Sequence, residues 1–594
     1  MAQIAPFAFE ADEKVCKLYV EQLQDVVNGG DYMPMETTFS EEDDPNIFDH
    51  VYSSLIPYQH YLDFFDDGPK PQVYWIWVTS TCRYWRDLIC GTPKLWCDIH
   101  VYRRPDWLKL CLPRAATQPS AGLVKLHFHC PDFPLFELNI LFHRQYATSL
   151  QTITFGAHPV WTTFFRKLLS TTLPNLTTLD AYPHLTSFSA FLDINTTPDL
   201  ALSADNAPRL DVLRLSLLGP PTSVDLFSRL RILELSEASW RIPFNTLLDI
   251  LAACSSLERL RLDRVLADVT DIPRPGEGLR RPVITLPRLH TLVVTSPHTF
   301  RTYTQVLSHL GLPAVTVLRI ASIFEGVVEN GLSLLPETFS ALLPPSSASR
   351  IRSLATIDTV EYIAYRDIYS LFGRTRFSSR NILQLSFDRS EANEHIPRDE
   401  PGWQGATKTG LRDLVRLVPA NNLSNIQLHV DFTALDRGDL EVAIRTFPRL
   451  ASLSLTGTGD VGRAWKILTP TDEEAEMLCP GLAAVTISDG VDGDGFYASE
   501  EFFDVLLRSL EARMARGARL RLLQLCLHHW TEDEYDTLQG KYLARLKKLV
   551  VGRVEYEHVE SSDEDSGDGE SNERMGESDD EDDEEDEDEV DEDD

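Results

Sequence analysis

The chain has 594 residues, 43% of them hydrophobic and 9% aromatic, with a formal net charge of -36. A chain this long outgrows one compact core unless it grows by stacking repeats. The charge is uneven: residues 560–594 hold 23 acidic groups and one basic group, Arg574, so they carry -22 and leave -14 on the rest. A mildly acidic body without a basic stripe argues against direct binding of nucleic acid.

The nine cysteines contain no C-x-x-C pair and read as reduced residues of an intracellular protein. The opening MAQIAPFAFEADEK lacks the basic-then-apolar order of a signal peptide, and no apolar run approaches the ~20 residues that span a bilayer. The expectation is a cytoplasmic or nuclear protein with no membrane partner.

In chain order, residues 10–28 predict an amphipathic helix, with Val15, Leu18, Tyr19, Leu23 and Val26 at helical spacing. It and an acidic linker fill 1–43. NIFDHVYSSLI predicts a second helix that ends at Pro57, and the turn-rich DDGPKP lies in a long loop over 58–76. WVTSTCRYWRDLI at 77–89 then places Trp77, Val78, Cys82, Trp85, Leu88 and Ile89 on a helix, and GTPKLWCDI reads as a turn and a short helix.

From residue 120 another pattern takes over. An apolar-x-x-apolar-x-apolar unit recurs as LVKLHF at 123, LQTITF at 150, LTTLDA at 176, LDVLRL at 210 and LRILEL at 230. LERLRL at 257, LHTLVV at 289, VTVLRI at 315, LATIDT at 354 and ILQLSF at 382 follow, then LSNIQL at 423. LASLSL at 450, LAAVTI at 482, LRLLQL at 520 and LKKLVV at 546 complete the set, and six of the fourteen intervals are 26 or 27 residues. Each unit offers one short strand with alternate side chains inward and a return segment, and none buries its apolar face alone. Many copies follow a proline-containing entry: LPNL, APRL, LPRL, FPRL or CPGL.

This body, 120–555, resembles an irregular leucine-rich repeat, whose period is about 20–29 residues. Where typical repeats carry Asn or Cys three residues past the motif, this chain has His184, Leu218, Ala238 and Thr458. Residues 44–100 resemble an F-box, in particular the version common in basidiomycete fungi. The matching residues are Pro45, Ile47, Phe48, Val51 and Tyr52, then Val78, Cys82, Arg83, Trp85, Arg86, Asp87 and Leu88, then Thr92, Pro93, Leu95, Trp96 and Ile99. Asp43 and Asp44 stand where the family usually has a leucine before the first proline.

The resemblance implies an α/β architecture: an irregular leucine-rich-repeat solenoid, an N-terminal helical F-box and a disordered acidic tail. It implies a non-catalytic substrate-receptor subunit of a cullin–RING ubiquitin ligase, in which the F-box binds a Skp-type adaptor and the repeats bind a protein substrate. Adaptor contacts are expected from Pro45, Ile47, Phe48, Val51, Val78, Cys82, Trp85, Leu88, Leu95 and Trp96, with Trp96 leaning toward packing. Inserts at 264–286, 388–412 and 456–481 are candidate substrate surfaces.

Other signals are weaker. GVDGDGFYASEE at 490–501 sets Asp492, Asp494, Gly495 and Glu501 at EF-hand spacing, but Gly490 takes the first ligand position and a strand is expected upstream. His528 and His529 beside Glu532, Asp533 and Glu534 lack further ligand spacing. No cofactor, metal or catalytic site is expected. Residues 560–594 have too little apolar content to order, and Ser561, Ser562 and Ser578 sit three residues before acidic groups, as acidophilic kinases prefer. An acidic tail after such repeats also resembles acidic leucine-rich nuclear phosphoproteins, which implies, as the alternative, a histone-chaperone-like protein whose tail binds basic partners.

Overall fold

The computed structural model describes residues within 83–558, apart from short internal stretches of which the longest are 184–199, 390–400 and 490–498. The expected helix at 10–28, the segment 44–76, the start of the next helix at 77–82 and the tail lie outside the described residues. Among the described residues no helix is long and apolar enough to cross a membrane.

The described residues form a mixed α/β structure organised on a sheet of 17 strands. Its first strands are β1 (Asp98–Val101), β2 (Val124–Phe128), β3 (Leu150–Ala157), β4 (Thr178–Pro183), β5 (Val212–Ser216), β6 (Ile232–Ser236) and β7 (Arg259–Asp263). A short β8 (Ile284–Thr285) pairs off the sheet with β10 (Leu310–Gly311), and between them β9 (Thr291–Ser296) rejoins it. Then come β11 (Val317–Phe324), the small off-sheet pair β12 (Val328–Glu329) and β13 (Leu332–Ser333), β14 (Thr359–Tyr365), β15 (Ile368–Arg374) and β16 (Leu383–Arg389). The last are β17 (Asn425–Asp431), β18 (Ser452–Thr458), β19 (Ala484–Asp489), β20 (Leu522–Leu527) and β21 (Arg553–His558).

From β1 to β11 each sheet strand pairs in parallel with the next along the chain, and β17 to β21 do the same. A parallel step needs a crossover. The returns supply it with helices such as Pro105–Ala115, Pro159–Leu169, Phe244–Ala253, Arg437–Thr446 and Glu500–Ala515.

Register turns the repeated motif into a core. Its fourth positions line up as Leu126, Ile153, Leu179, Leu213, Leu233, Leu260, Leu292 and Leu318 across eight neighbouring strands. A second column, Ile426, Leu453, Val485 and Leu523, crosses the C-terminal strands. All are buried, and each such side chain contributes about 1.5–3 kcal/mol on leaving water. The proline entries also acquire a local meaning. In LPNL, APRL, LPRL, FPRL and CPGL the last residue's N–H donates to the first residue's carbonyl, at 3.1, 3.2, 3.4, 3.1 and 3.0 Å. These are turns with proline at the second position, where its fixed φ fits.

After β5, β6 and β7 the residues Leu217, Glu237 and Arg264 take left-handed φ values of 61°, 51° and 55°. They turn the chain so that Leu218, Ala238 and Val265 point into the core. After these three strands the position that carries Asn or Cys in typical repeats is therefore apolar and buried.

Three motif placements are corrected. LATIDT does not start a strand at 354: Leu354 sits in a 3-10 turn, and β14 is carried by Ile357, Val360 and Tyr362. LKKLVV at 546 is the end of the helix Glu532–Leu549, and the strand is RVEYEH, Arg553–His558. ILQLSF is offset by two, because Leu383, not Leu385, stands opposite Leu318. One copy was missed: Trp96, Ile99 and Val101 form the motif on β1, so the sheet begins before residue 120 and within the segment assigned to the F-box-like unit.

The middle of the sheet departs from simple succession. β11 pairs with β16, not β14. β16 pairs antiparallel with β15, β15 antiparallel with β14, and β14 parallel with β17. Three strands thus enter as a reversed meander, and β15 alone runs against its neighbours. The helix Pro401–Leu417 packs on it, where the Tyr362 hydroxyl donates to the Thr407 carbonyl at 2.8 Å.

Candidate binding face

Strand alternation that sends leucines inward sends polar residues to the other face. In register across β1 to β7, His100, His127, Thr154, Asp180, Arg214, Glu234 and Arg261 form one row. Arg214 lies between two carboxylates, 3.2 Å from Asp180 and 3.0 Å from Glu234, and Arg259 reaches Glu234 at 3.4 Å. Nearer the strand starts, the Arg231 guanidinium binds Glu258 in two-pronged fashion at 3.0 and 2.8 Å and reaches Asp211 at 3.3 Å. Arg264 and Glu237, at 3.5 Å, continue the pattern past the strand ends.

Burial raises the Asp180 carboxyl, with the Arg214 charge pulling it part of the way back. The C-terminal strands carry Glu361, Gln427, Ser454, Thr486, Gln524 and Glu555 in the corresponding row, which has no basic residue. His429 lies 3.7 Å from Glu361, and burial lowers its pKa. The face is therefore rigid and polar, patterned in charge at one end and acidic or neutral at the other. A protein bound on such a face would be chosen by electrostatic match more than by apolar area.

At the start of this row, Asp98 Oδ1 lies 3.4 Å from His100 Nε2 and 3.2 Å from His127 Nε2. The two imidazoles stack with centroids 4.7 Å apart and an interplanar angle of 17°. Burial acts to raise the Asp98 carboxyl, but hydrogen bonds and charge from the two histidines outweigh it and hold the group well below the usual carboxylate range. Elsewhere the buried thiols have packing roles. Burial pushes Cys111 and Cys254 up to about 12 and Cys479 to about 11, so they stay protonated at neutral pH.

Of the expected adaptor contacts, Pro45, Ile47, Phe48, Val51, Val78 and Cys82 lie outside the described residues, as do Ser561, Ser562 and Ser578. Trp85 and Leu88 fall on the helix Arg83–Cys90, whose Arg83, Arg86 and Asp87 are exposed and whose Ile89 is buried. The structure brings Leu95 and Trp96 together on the 3-10 turn Pro93–Trp96. Leu95 is half-buried against the core. Trp96 is only 3% exposed, donates from its indole N–H to the Ile89 carbonyl at 2.7 Å, and lies 4.6 Å under the Arg114 guanidinium. Trp96 therefore welds the helix Arg83–Cys90 to the first strand.

The expected inserts are partly core. Within 388–412 the helix Pro401–Leu417 buries Leu411, and within 456–481 the helix Val461–Leu468 buries Trp465. In the EF-hand-like stretch, 490–498 lie outside the described residues. Ser499 caps the helix Glu500–Ala515 by accepting from the Phe502 N–H, Glu501 pairs with Lys466 at 3.5 Å, and β19 precedes the segment as expected. His528 and His529 also lie outside.

Sequence reasoning missed the charge ladder and the Asp98–His100–His127 cluster. The ladder had a signal, since Asp180, Arg214, Glu234 and Arg261 occupy the polar position between the two inward residues of successive motifs. The cluster had almost none, because 27 residues separate His100 from His127 and only the β1–β2 register joins them. No family model matches the chain, and the comparison with curated proteins finds no match either.

Proposed function

We propose that the chain is a non-catalytic substrate receptor of a cullin–RING ubiquitin ligase, built as an F-box unit followed by a leucine-rich-repeat solenoid. The observation that carries this reading is the direct continuity of two parts. RYWRDLIC and TPKLW, the specific half of the F-box resemblance, form a helix and a turn that lead through Trp96 into a long succession of parallel strands. In this reading the segment 44–90 docks a Skp-type adaptor, Trp96 anchors that unit to the solenoid, and the polar strand face holds a protein substrate. The mechanism is proximity: a substrate held near the conjugating enzyme reacts as though concentrated.

The test is co-purification of the full chain with the adaptor, beside a thermal melt. Trp85→Ala with Leu88→Ala should weaken adaptor binding by about 2 kcal/mol per residue, while the main melting transition stays in place because strand stacking supports it. Full adaptor binding by the double variant overturns the proposal. If instead all partners depend on residues 560–594 and dissociate with salt, the chain is an acidic-tail binder of basic proteins.

A further inference from the structure

We infer that Asp98, His100 and His127 form a divalent-metal site, best suited to Zn²⁺, that clamps β1 to β2 at the end of the sheet. The distances fit the ion as well as they fit hydrogen bonds. With Zn²⁺ ligand bonds of about 2.0–2.1 Å, neighbouring vertices of a tetrahedron stand about 3.4 Å apart. Both imidazole nitrogens lie 3.4 and 3.2 Å from the same carboxylate oxygen. All three potential ligand atoms fall within 4.8 Å of one another, close enough for one ion to reach them with small side-chain rotations.

The donor chemistry also fits. Two imidazoles and a carboxylate are a borderline set that suits zinc better than the all-oxygen shells preferred by calcium or magnesium. Three protein ligands leave a fourth position for water or for a group brought by a partner. A second observation points to such an occupant. Thr154 Oγ1 is fully buried without a hydrogen-bond partner, and Thr154 is the register neighbour of His127 in the same outward row. A buried hydroxyl is rarely left unpaired, and a metal-bound water beside His127 supplies what it lacks.

The placement gives the site a role. Among the described strands β1 has only β2 as a partner. It is the strand on which Trp96 seats the helix Arg83–Cys90. An ion shared by Asp98, His100 and His127 fastens that end strand where hydrogen bonds alone would fray.

The experiment titrates Zn²⁺ into the full chain, freed of any histidine tag, against a chelating indicator, and repeats it with Co²⁺ to read coordination from the visible spectrum. Any loose cation binding by the acidic residues 560–594 is common to every variant and cancels in the comparison. Wild type should hold one zinc well above that background, give an intense tetrahedral Co²⁺ spectrum and melt higher with zinc than with chelator. His100→Ala and Asp98→Asn should each lose ~100-fold or more in affinity, beyond the 10–100-fold typical of supporting residues, and should lose the zinc-dependent rise in melting temperature. Each variant also loses the metal-free contacts between Asp98 and the histidines, so the reading is the difference between melting with zinc and with chelator within each protein. Zinc binding by wild type that is no tighter than by His100→Ala, or a weak octahedral Co²⁺ spectrum, overturns the inference.

Discussion

At the scale of single residues, the guanidinium of Arg214 is the pivot of the polar face. It separates Asp180 from Glu234, and the Asp180 carboxyl is already raised by burial. The folded chain therefore keeps a proton on Asp180 at pH values where the unfolded chain has lost it. That group's contribution to stability falls as pH rises from the ordinary carboxylate range through its raised folded value. Arg214→Met removes the opposing charge, pushes Asp180 higher and leaves Glu234 beside it. The variant should lose about 2 kcal/mol at neutral pH, between the values for exposed and buried pairs. The loss should shrink as the pH approaches about 4, near the ordinary carboxylate value. Urea unfolding of both proteins at the two pH values checks this, and an equal deficit at both rules it out. Such a residue was half legible, because its place between inward leucines is visible in LDVLRL but its neighbours depend on register. Arg513 was not legible at all. It lies fully buried in the helix Glu500–Ala515 and donates to the Leu478 and Cys479 carbonyls at 3.2 and 2.9 Å. An arginine among helical leucines looks like a solvent-facing residue until the loop it holds is known.

At the scale of elements, most strands were readable because period two and the recurring interval reinforce one another. The meander β14–β15–β16 was not, since IDTVEY and ILQLSF look like ordinary copies and nothing in YSLFGR announces an antiparallel strand. The helix that covers it shows the same limit. Gly410 lies inside Pro401–Leu417, where alanine is ordinarily the better residue by about 1 kcal/mol. A Cβ there would stand 2.6 Å from the Tyr362 hydroxyl and closer still to that of Tyr369. Both rings are buried among Phe339 and Phe387 and have little room to withdraw. Gly410→Ala should therefore destabilise the chain by about 2 kcal/mol, at the middle of the range for overpacking. Combining it with Tyr369→Phe, which removes the nearest hydroxyl, should return part of the loss. Thermal melts of the four proteins in this cycle decide the matter. A Gly410→Ala protein more stable than its parent would show that the helix does not press on the tyrosines.

At the scale of the whole molecule, stability in a succession of parallel strands is a chain of nearest-neighbour terms. Here that chain passes through one unusual link. Among the described strands, β1 to β11 pair toward the C-terminal strands through β16, β15 and β14, because β11 bonds to β16 and β17 bonds to β14. The columns of buried leucines on either side are each continuous and each large enough to hold together. β15 contributes only seven residues, with Tyr369 and Leu371 as its buried anchors. A charge placed there is costly, since a buried carboxylate without a partner cannot remain ionised at low cost. Leu371→Asp should accordingly break the link without dissolving either side. Hydrogen exchange followed segment by segment should then show protection lost first in β14, β15, β16 and the adjoining β11, with β2 to β7 and β18 to β20 still protected. Calorimetry should show one main transition for the parent and two for the variant. A uniform loss of protection from β2 to β20, with one transition at a lower temperature, would mean that the long sheet melts as one cooperative unit. Retained protection with two transitions would make the meander a joint between two stacks that fold separately, each with its own stretch of the polar face.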